Sequence, residues 1–178
     1  MKKLIIFAAF VVFAIQAFAQ QPKGPVTLKS ILLQELRETH TEKNWFVTLK
    51  DATAGLTAEQ ANWTDGKGNH SVGQLVYHLV FWNRQNLATL TGIPHDKFSG
   101  DNNETFSHYD SKQWDAVLKQ YDDGMTEIEK AVEGADEAKL EKWAPNIARI
   151  AQHNAYHIAE MVVIRREQGS WNPDNGVK

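Results

Sequence analysis

Apolar residues recurring at three- and four-residue steps, in four separate stretches, constrain this chain more than any other feature. Leu28, Ile31, Leu32, Leu36, Trp45 and Leu49 make up the first stretch, which predicts a helix over residues 27–54. Such spacing puts its members on one helical face, and that face has to be buried against something. Ser71-Val72-Gly73-Gln74 is a capping box opening a second helix to about Leu90. Asp110 or Ser111 caps a third, with Trp114, Val117, Leu118, Tyr121, Met125, Ile128 and Val132 on one stripe and Gly134 at its end. Pro145 suits the first turn of a fourth helix, where its missing N–H costs nothing, and Gly169 suits the position after its last turn. Thr57-Ala58-Glu59-Gln60 caps a short extra turn ending at Trp63. No strand-like alternation of useful length competes. The expectation is an all-α fold, an antiparallel four-helix bundle over residues 27–172 with a 173–178 tail. The polar loop between the second and third helices is long enough to be a crossover.

The first 19 residues are set apart from that pattern. Met1-Lys2-Lys3 is basic, residues 4–15 are unbroken apolar sequence, and Ala17-Phe18-Ala19 precedes Gln20 as a cleavage site. This is the layout of a secretory signal peptide, and the apolar run is shorter than the roughly 20 residues that span a bilayer. The reading is an exported protein, periplasmic or extracellular, with a linker over residues 20–26 and no stable membrane insertion after cleavage. With no cysteine at the cleavage site there is no lipid attachment there. Losing Lys2 and Lys3 makes the mature chain two units more negative than the formal −3 of the whole sequence. A mildly acidic chain without a dense basic stripe is a poor nucleic-acid binder, because that binding rests on phosphate neutralisation.

Chemistry has to be sought in nitrogen and oxygen donors, because the chain has seven histidines and no cysteine. His153 and His157 are four residues apart, on one helical face and about 5–6 Å apart at Cβ, so both rings can reach one ion. Ile150, Met161 and Ile164 continue that face, which therefore points inward. His78 is flanked on its own helix by Leu75 and Trp82 and also points inward. One buried histidine is ordinarily a hydrogen-bonded core residue. Three converging in one core would need several partners, and a divalent metal satisfies three nitrogens at once. Three histidines with an open fourth position match a catalytic site, where an ion lowers the pKa of a water or activates a substrate thiolate. Imidazole suits zinc and nickel, and also iron and copper.

Rival motifs fail on residues. Asn154 follows His153, so this is not H-E-x-x-H, and His157-Ile158-Ala159-Glu160 reverses the order a di-iron carboxylate bundle needs. His95 and His108 fall in or beside the polar loop, and His70 precedes a helix cap. His40 follows Leu36 by four residues, which makes it a further candidate to line the site. Glu35, Glu38 and Glu42 form a solvated face from which one could act as a base. The six tryptophans read mainly as core packing.

The stretch Leu56-Thr57-Ala58-Glu59-Gln60-Ala61-Asn62-Trp63, followed by Ser71-Val72-Gly73-Gln74-Leu75-Val76-Tyr77-His78-Leu79, resembles the opening half of DinB-like proteins. His153-Asn154-Ala155-Tyr156-His157-Ile158 resembles their last-helix signature. The resemblance runs over about residues 27–171. It implies a four-helix bundle, frequent homodimers, and one divalent metal ion, commonly zinc or nickel, held by the residues here numbered His78, His153 and His157. It also implies thiol chemistry on small molecules, since that superfamily includes mycothiol-dependent maleylpyruvate isomerase and S-transferases using bacillithiol or related thiols. Three functions follow as expectations: a metal-dependent S-transferase, a metal-dependent hydrolase favoured by an exported setting, and a non-catalytic metal- or small-molecule-binding bundle.

Overall fold

A computed structural model describes residues 25–176. The expected signal peptide, most of the expected linker and the last two residues of the tail lie outside the described residues. Seven α-helices follow in order: α1 (Leu28–His40), α2 (Leu49–Thr53), α3 (Ala58–Ala61), α4 (Val72–Thr91), α5 (Glu104–Ser107), α6 (Trp114–Gly134) and α7 (Glu137–Gln168). There is no strand among the described residues, which are all-α.

The starts of α3 and α4 are fixed by side-chain chemistry, whereas α6 has no side-chain cap of its own and follows a 3-10 turn, Ser111–Gln113, that Asp110 caps. Ser71 Oγ accepts from the Gln74 N–H at 3.2 Å, while the Gln74 side chain accepts from the Ser71 N–H at 2.9 Å. Thr57 and Gln60 make the same reciprocal pair at α3, and each box satisfies two donors that a helix start otherwise leaves open. At the other end of the chain α7 stops at Gly169, whose φ of 77° is the left-handed conformation glycine adopts without strain.

Two helix boundaries differ from expectation. The first helix ends at His40, and a loop carries the chain to α2, which Thr48 caps by accepting from the Asp51 N–H. The reason is phase. Nine residues separate Leu36 from Trp45, and at about 100° per residue that is half a turn out of register. Trp45 consequently stands 88% exposed while Leu36 is fully buried. The fourth long helix begins earlier than Pro145, at Glu137, with Asp136 accepting from the Lys139 N–H at 2.8 Å. Pro145 removes the donor that the Glu141 carbonyl would use. Glu141 is exposed, so water can take the donor's place, and buried Leu140 and Ile147 hold the helix on either side.

The four long helices pack round one core, α4 mainly on α6 and α1 mainly on α7, with α1–α6 and α4–α7 contacts closing the ring. Their directions do not simply alternate. The Tyr109 ring, just before α6, lies against Gly73 at the start of α4, and Asn83 farther along α4 reaches Met125 farther along α6. These two helices therefore run the same way, which the 22-residue connection between them permits. The expected antiparallel order holds for α4 against α7, where His78 meets His153 and Trp82 shares a cavity with Arg149. Leu36, Leu79, Met125, Ile128, Ile147, Ile158 and Met161 fill the centre. Burying each contributes on the order of 1.5–3 kcal/mol. No described helix is long and apolar enough to cross a membrane.

Candidate functional site

The three inward-facing histidines meet where α4 and α7 pack together. His78 leaves α4 at the end of its second turn, and His153 and His157 leave α7 one turn apart. The Nε2 atom of His153 lies 3.1 Å from Nε2 of His78 and 3.1 Å from Nε2 of His157. All three ligand-capable nitrogens lie within 4.8 Å of one another. A tetrahedral ion bonded to imidazoles at 2.0–2.1 Å sets its ligand nitrogens about 3.3 Å apart. The cluster is thus already near the size that one ion requires.

Hydrogen bonds behind the rings fix which nitrogens point inward. The Thr105 hydroxyl donates to the Asn102 carbonyl at 2.6 Å. It is then an acceptor for the Nδ1–H of His78, also 2.6 Å away. His157 Nδ1–H donates to Glu160 Oε2 at 2.6 Å. Both rings therefore carry their proton on Nδ1 and turn an Nε2 lone pair toward His153. One N–H on His153 can serve only one of those lone pairs. A shared cation would serve all three, so the donor set fits a divalent ion better than it fits mutual hydrogen bonding. A partner behind the ring that orients a ligand histidine is the usual support of such sites.

Electrostatics agree with that assignment. Burial, aided by the other histidines, pushes His78 down to about 3 and His153 down to about 4. Burial also lowers His157, against the opposing pull of Glu160. At neutral pH all three rings are uncharged and can take an ion without first losing a proton.

Two further side chains shape the site, and neither carried a signal in the sequence pattern. Thr105 and Phe106 sit on α5, within the stretch expected to be a polar loop. Phe106 is sandwiched between His78 and His70, its ring centre 3.9 Å and 3.8 Å from theirs and almost parallel to both. His70 thus supports the site through Phe106 without joining the nitrogen cluster. Glu160 was legible only as the reversed His-x-x-Glu, whose three-residue step puts it beside His157 on the helix surface.

His40 does not line this site. Its Nδ1 faces Glu129 Oε1 at 2.8 Å and its Nε2 faces Asp122 Oδ1 at 2.9 Å, clamping α1 to α6. Burial would lower its pKa, but the two carboxylates outweigh burial and raise it. A raised histidine stabilises the fold fully below its unfolded value, about 6.5, and loses that contribution as pH rises through the folded value. His40→Gln should remove this component. In urea titrations between about pH 6 and pH 9, wild type should lose more of its midpoint than the variant does. Parallel pH profiles would refute the clamp.

Of the other candidates, Glu38 accepts from Gln34 and Asn44, Glu42 lies near Arg37, Glu35 is exposed, and none of the three lines the cavity beside the triad. His108 is exposed, and His95 is half-buried and bonded to the Ile93 carbonyl. Trp114 is buried, in keeping with the core reading of the tryptophans, whereas Trp45 is not. The cavity beside the triad has a volume of about 500 Å³, and Trp82, Asn86, Asn102, Asn146, Arg149 and Tyr156 line it together with the histidines. A larger groove of about 630 Å³ lies between Trp45 and the end of α7 and carries no cluster of donor side chains.

A family model described as DinB superfamily matches residues 40–163, most of the chain and all three clustered histidines. The chain belongs to the DinB superfamily. No curated protein and no solved structure matches it significantly. The match leaves out most of α1, whereas every DinB-superfamily element that builds the site, from α4 through α7, lies largely inside it.

Proposed function

We propose that this DinB-superfamily protein is an exported metalloenzyme built on a four-helix bundle, with His78, His153 and His157 as ligands to one divalent ion, zinc or nickel. The observation that carries the reading is the convergence of three Nε2 atoms whose Nδ1 sides Thr105 and Glu160 already hold. Iron(II) and copper suit the same nitrogens less selectively. When bound there, the ion supplies Lewis acidity that makes a thiol or a water a stronger nucleophile.

The residues of the chain account for the rest. His78 and His157 keep their protons on the outward Nδ1 atoms, so the inward nitrogens stay available as donors. Phe106 and the core beneath it keep water from the buried side of the rings. Glu160 lies behind His157 and so is not placed as a fourth ligand. That leaves the cavity side free for a small molecule, which favours an enzyme over a closed storage site. Thiol S-transfer is the first reading. Hydrolysis is the second, favoured by the secretory layout of residues 1–19, because low-molecular-weight thiols are mainly cytosolic. Non-catalytic binding of a metal or small molecule is the third. A homodimer belongs to the proposal as well, supported by the exposed Val163 on α7.

Zinc-loaded mature protein should hold about one ion per chain. Its melting temperature should rise with zinc and fall back on chelation, with a gain of about 2.7 kcal/mol at a hundredfold excess over Kd. Assays of a thiol with an electrophile, and separately of ester and amide substrates, then distinguish the two chemistries. Protein that neither retains nor is stabilised by zinc or nickel would defeat the metal reading.

A further inference from the structure

We infer that the cavity beside the triad recognises a small organic anion, with Arg149 as the residue that binds its carboxylate. The inference deepens the metal reading of the triad and rests on it for the charge of the cavity floor. Asn146, Arg149, His153 and His157 follow one another along α7 at steps of three, four and four, so the guanidinium stands one turn from the nearest histidine on the same face. Arg149 makes no ion pair and no side-chain hydrogen bond among the described residues, although the surface of the protein is rich in carboxylates. No aspartate or glutamate lines the cavity.

The polar groups round the rim can supply further donors. Asn102 Oδ1 accepts from the Trp82 indole N–H at 3.2 Å, which leaves the Asn102 amide hydrogens for a ligand. Asn146 makes no side-chain hydrogen bond among the described residues and lines the same wall. Trp82 and Tyr156 offer flat apolar surfaces for the body of the molecule. What distinguishes this cavity from others lined by an unpaired arginine is that its guanidinium shares a wall with the three clustered histidines. A divalent ion on those imidazoles adds two more positive charges. A planar guanidinium matches a carboxylate in two-point geometry, and a cavity of about 500 Å³ suits a molecule of metabolite size.

Benzoate and benzamide share shape and differ in charge, so they test recognition directly. Calorimetric titration of zinc-loaded protein should give benzoate at least about tenfold higher affinity than benzamide, the scale of a charge-assisted bond. Arg149→Gln should weaken benzoate about tenfold while leaving both benzamide affinity and zinc content unchanged. Undetectable benzoate binding, equal affinities for the two probes, or an Arg149→Gln protein that keeps its zinc and still binds benzoate as wild type does would each overturn the inference. The same titration on zinc-free protein separates it from the metal proposal. Benzoate binding that depends on Arg149 in a protein unable to hold zinc supports the anion site and defeats the ligand assignment alone.

Discussion

Replacing His78 with alanine should take the divalent-ion content of the purified protein from the expected value of about one per chain to near zero, and His157→Ala should do the same. Each change removes one of three nitrogens from a cluster that has no fourth protein ligand among the described residues. The helices should survive, because Leu75, Leu79, Ile150, Ile158 and Met161 still pack α4 and α7 into the core when one buried ring is removed. Circular dichroism and elemental analysis on the same samples check both halves of the statement. The supporting residues should give a graded version of the result. Glu160→Gln and Thr105→Val leave three nitrogens in place but release the rings behind them, and should weaken metal binding about 10- to 100-fold. Equal metal content in wild type and the two histidine variants would mean that the ion binds elsewhere.

The largest effect on stability should come from a residue outside the metal cluster. Arg165, near the end of α7, is 3% exposed. Its guanidinium donates to the Ala52 carbonyl on α2 at 2.8 Å and to the Ser170 carbonyl at 2.8 Å, and it lies 5.4 Å above the Trp171 ring centre. One side chain thereby ties α2, the end of α7 and the following turn together. Arg165→Ala strands two carbonyls at about 1–3 kcal/mol each and opens a void, so a total loss of about 3–5 kcal/mol is expected. For a domain of this size that is about 6–20 °C in Tm. Arg165→Lys should recover only part, because an ammonium lacks the fork that reaches both carbonyls. Thermal unfolding of the two variants measures this, and an alanine variant within about 0.5 kcal/mol of wild type would show that the fork is idle.

Much of this architecture could be read locally, and the exceptions have physical causes. The capping boxes at Thr57 and Ser71 are chemistry between residues three apart, so they can be seen without the fold. The single stripe of α6 is equally local. His153 and His157 were legible because a four-residue step on a helix is itself a distance. The end of α1 was hidden because Trp45 looked like one more apolar repeat, although its angular phase opposed that of Leu36. Pro145 looked like a start because a proline inside a helix is costly, yet here the bond it removes belongs to an exposed carbonyl. Thr105 and Phe106 lay beyond local reading altogether. A four-residue helix has too few turns for periodicity, and what gives those residues meaning is a ring on α4, 27 residues earlier for Thr105. The shared direction of α4 and α6 is likewise a property of long-range packing and is not written in either helix.

The placement of Thr105 and Phe106 would make the long connection between α4 and α6 a thermodynamic participant in the proposed metal binding. Residues 92–113 touch the histidines chiefly through that one short helix, so freezing His78 in place also freezes part of the connection. Opening of the connection would then be coupled to departure of the ion proposed for the triad. Amide exchange at α5 would slow on metal loading by the same free energy that the ion gains from the Thr105 and Phe106 contacts. A stretch that looks like slack between two helices would act as the fastener of the site.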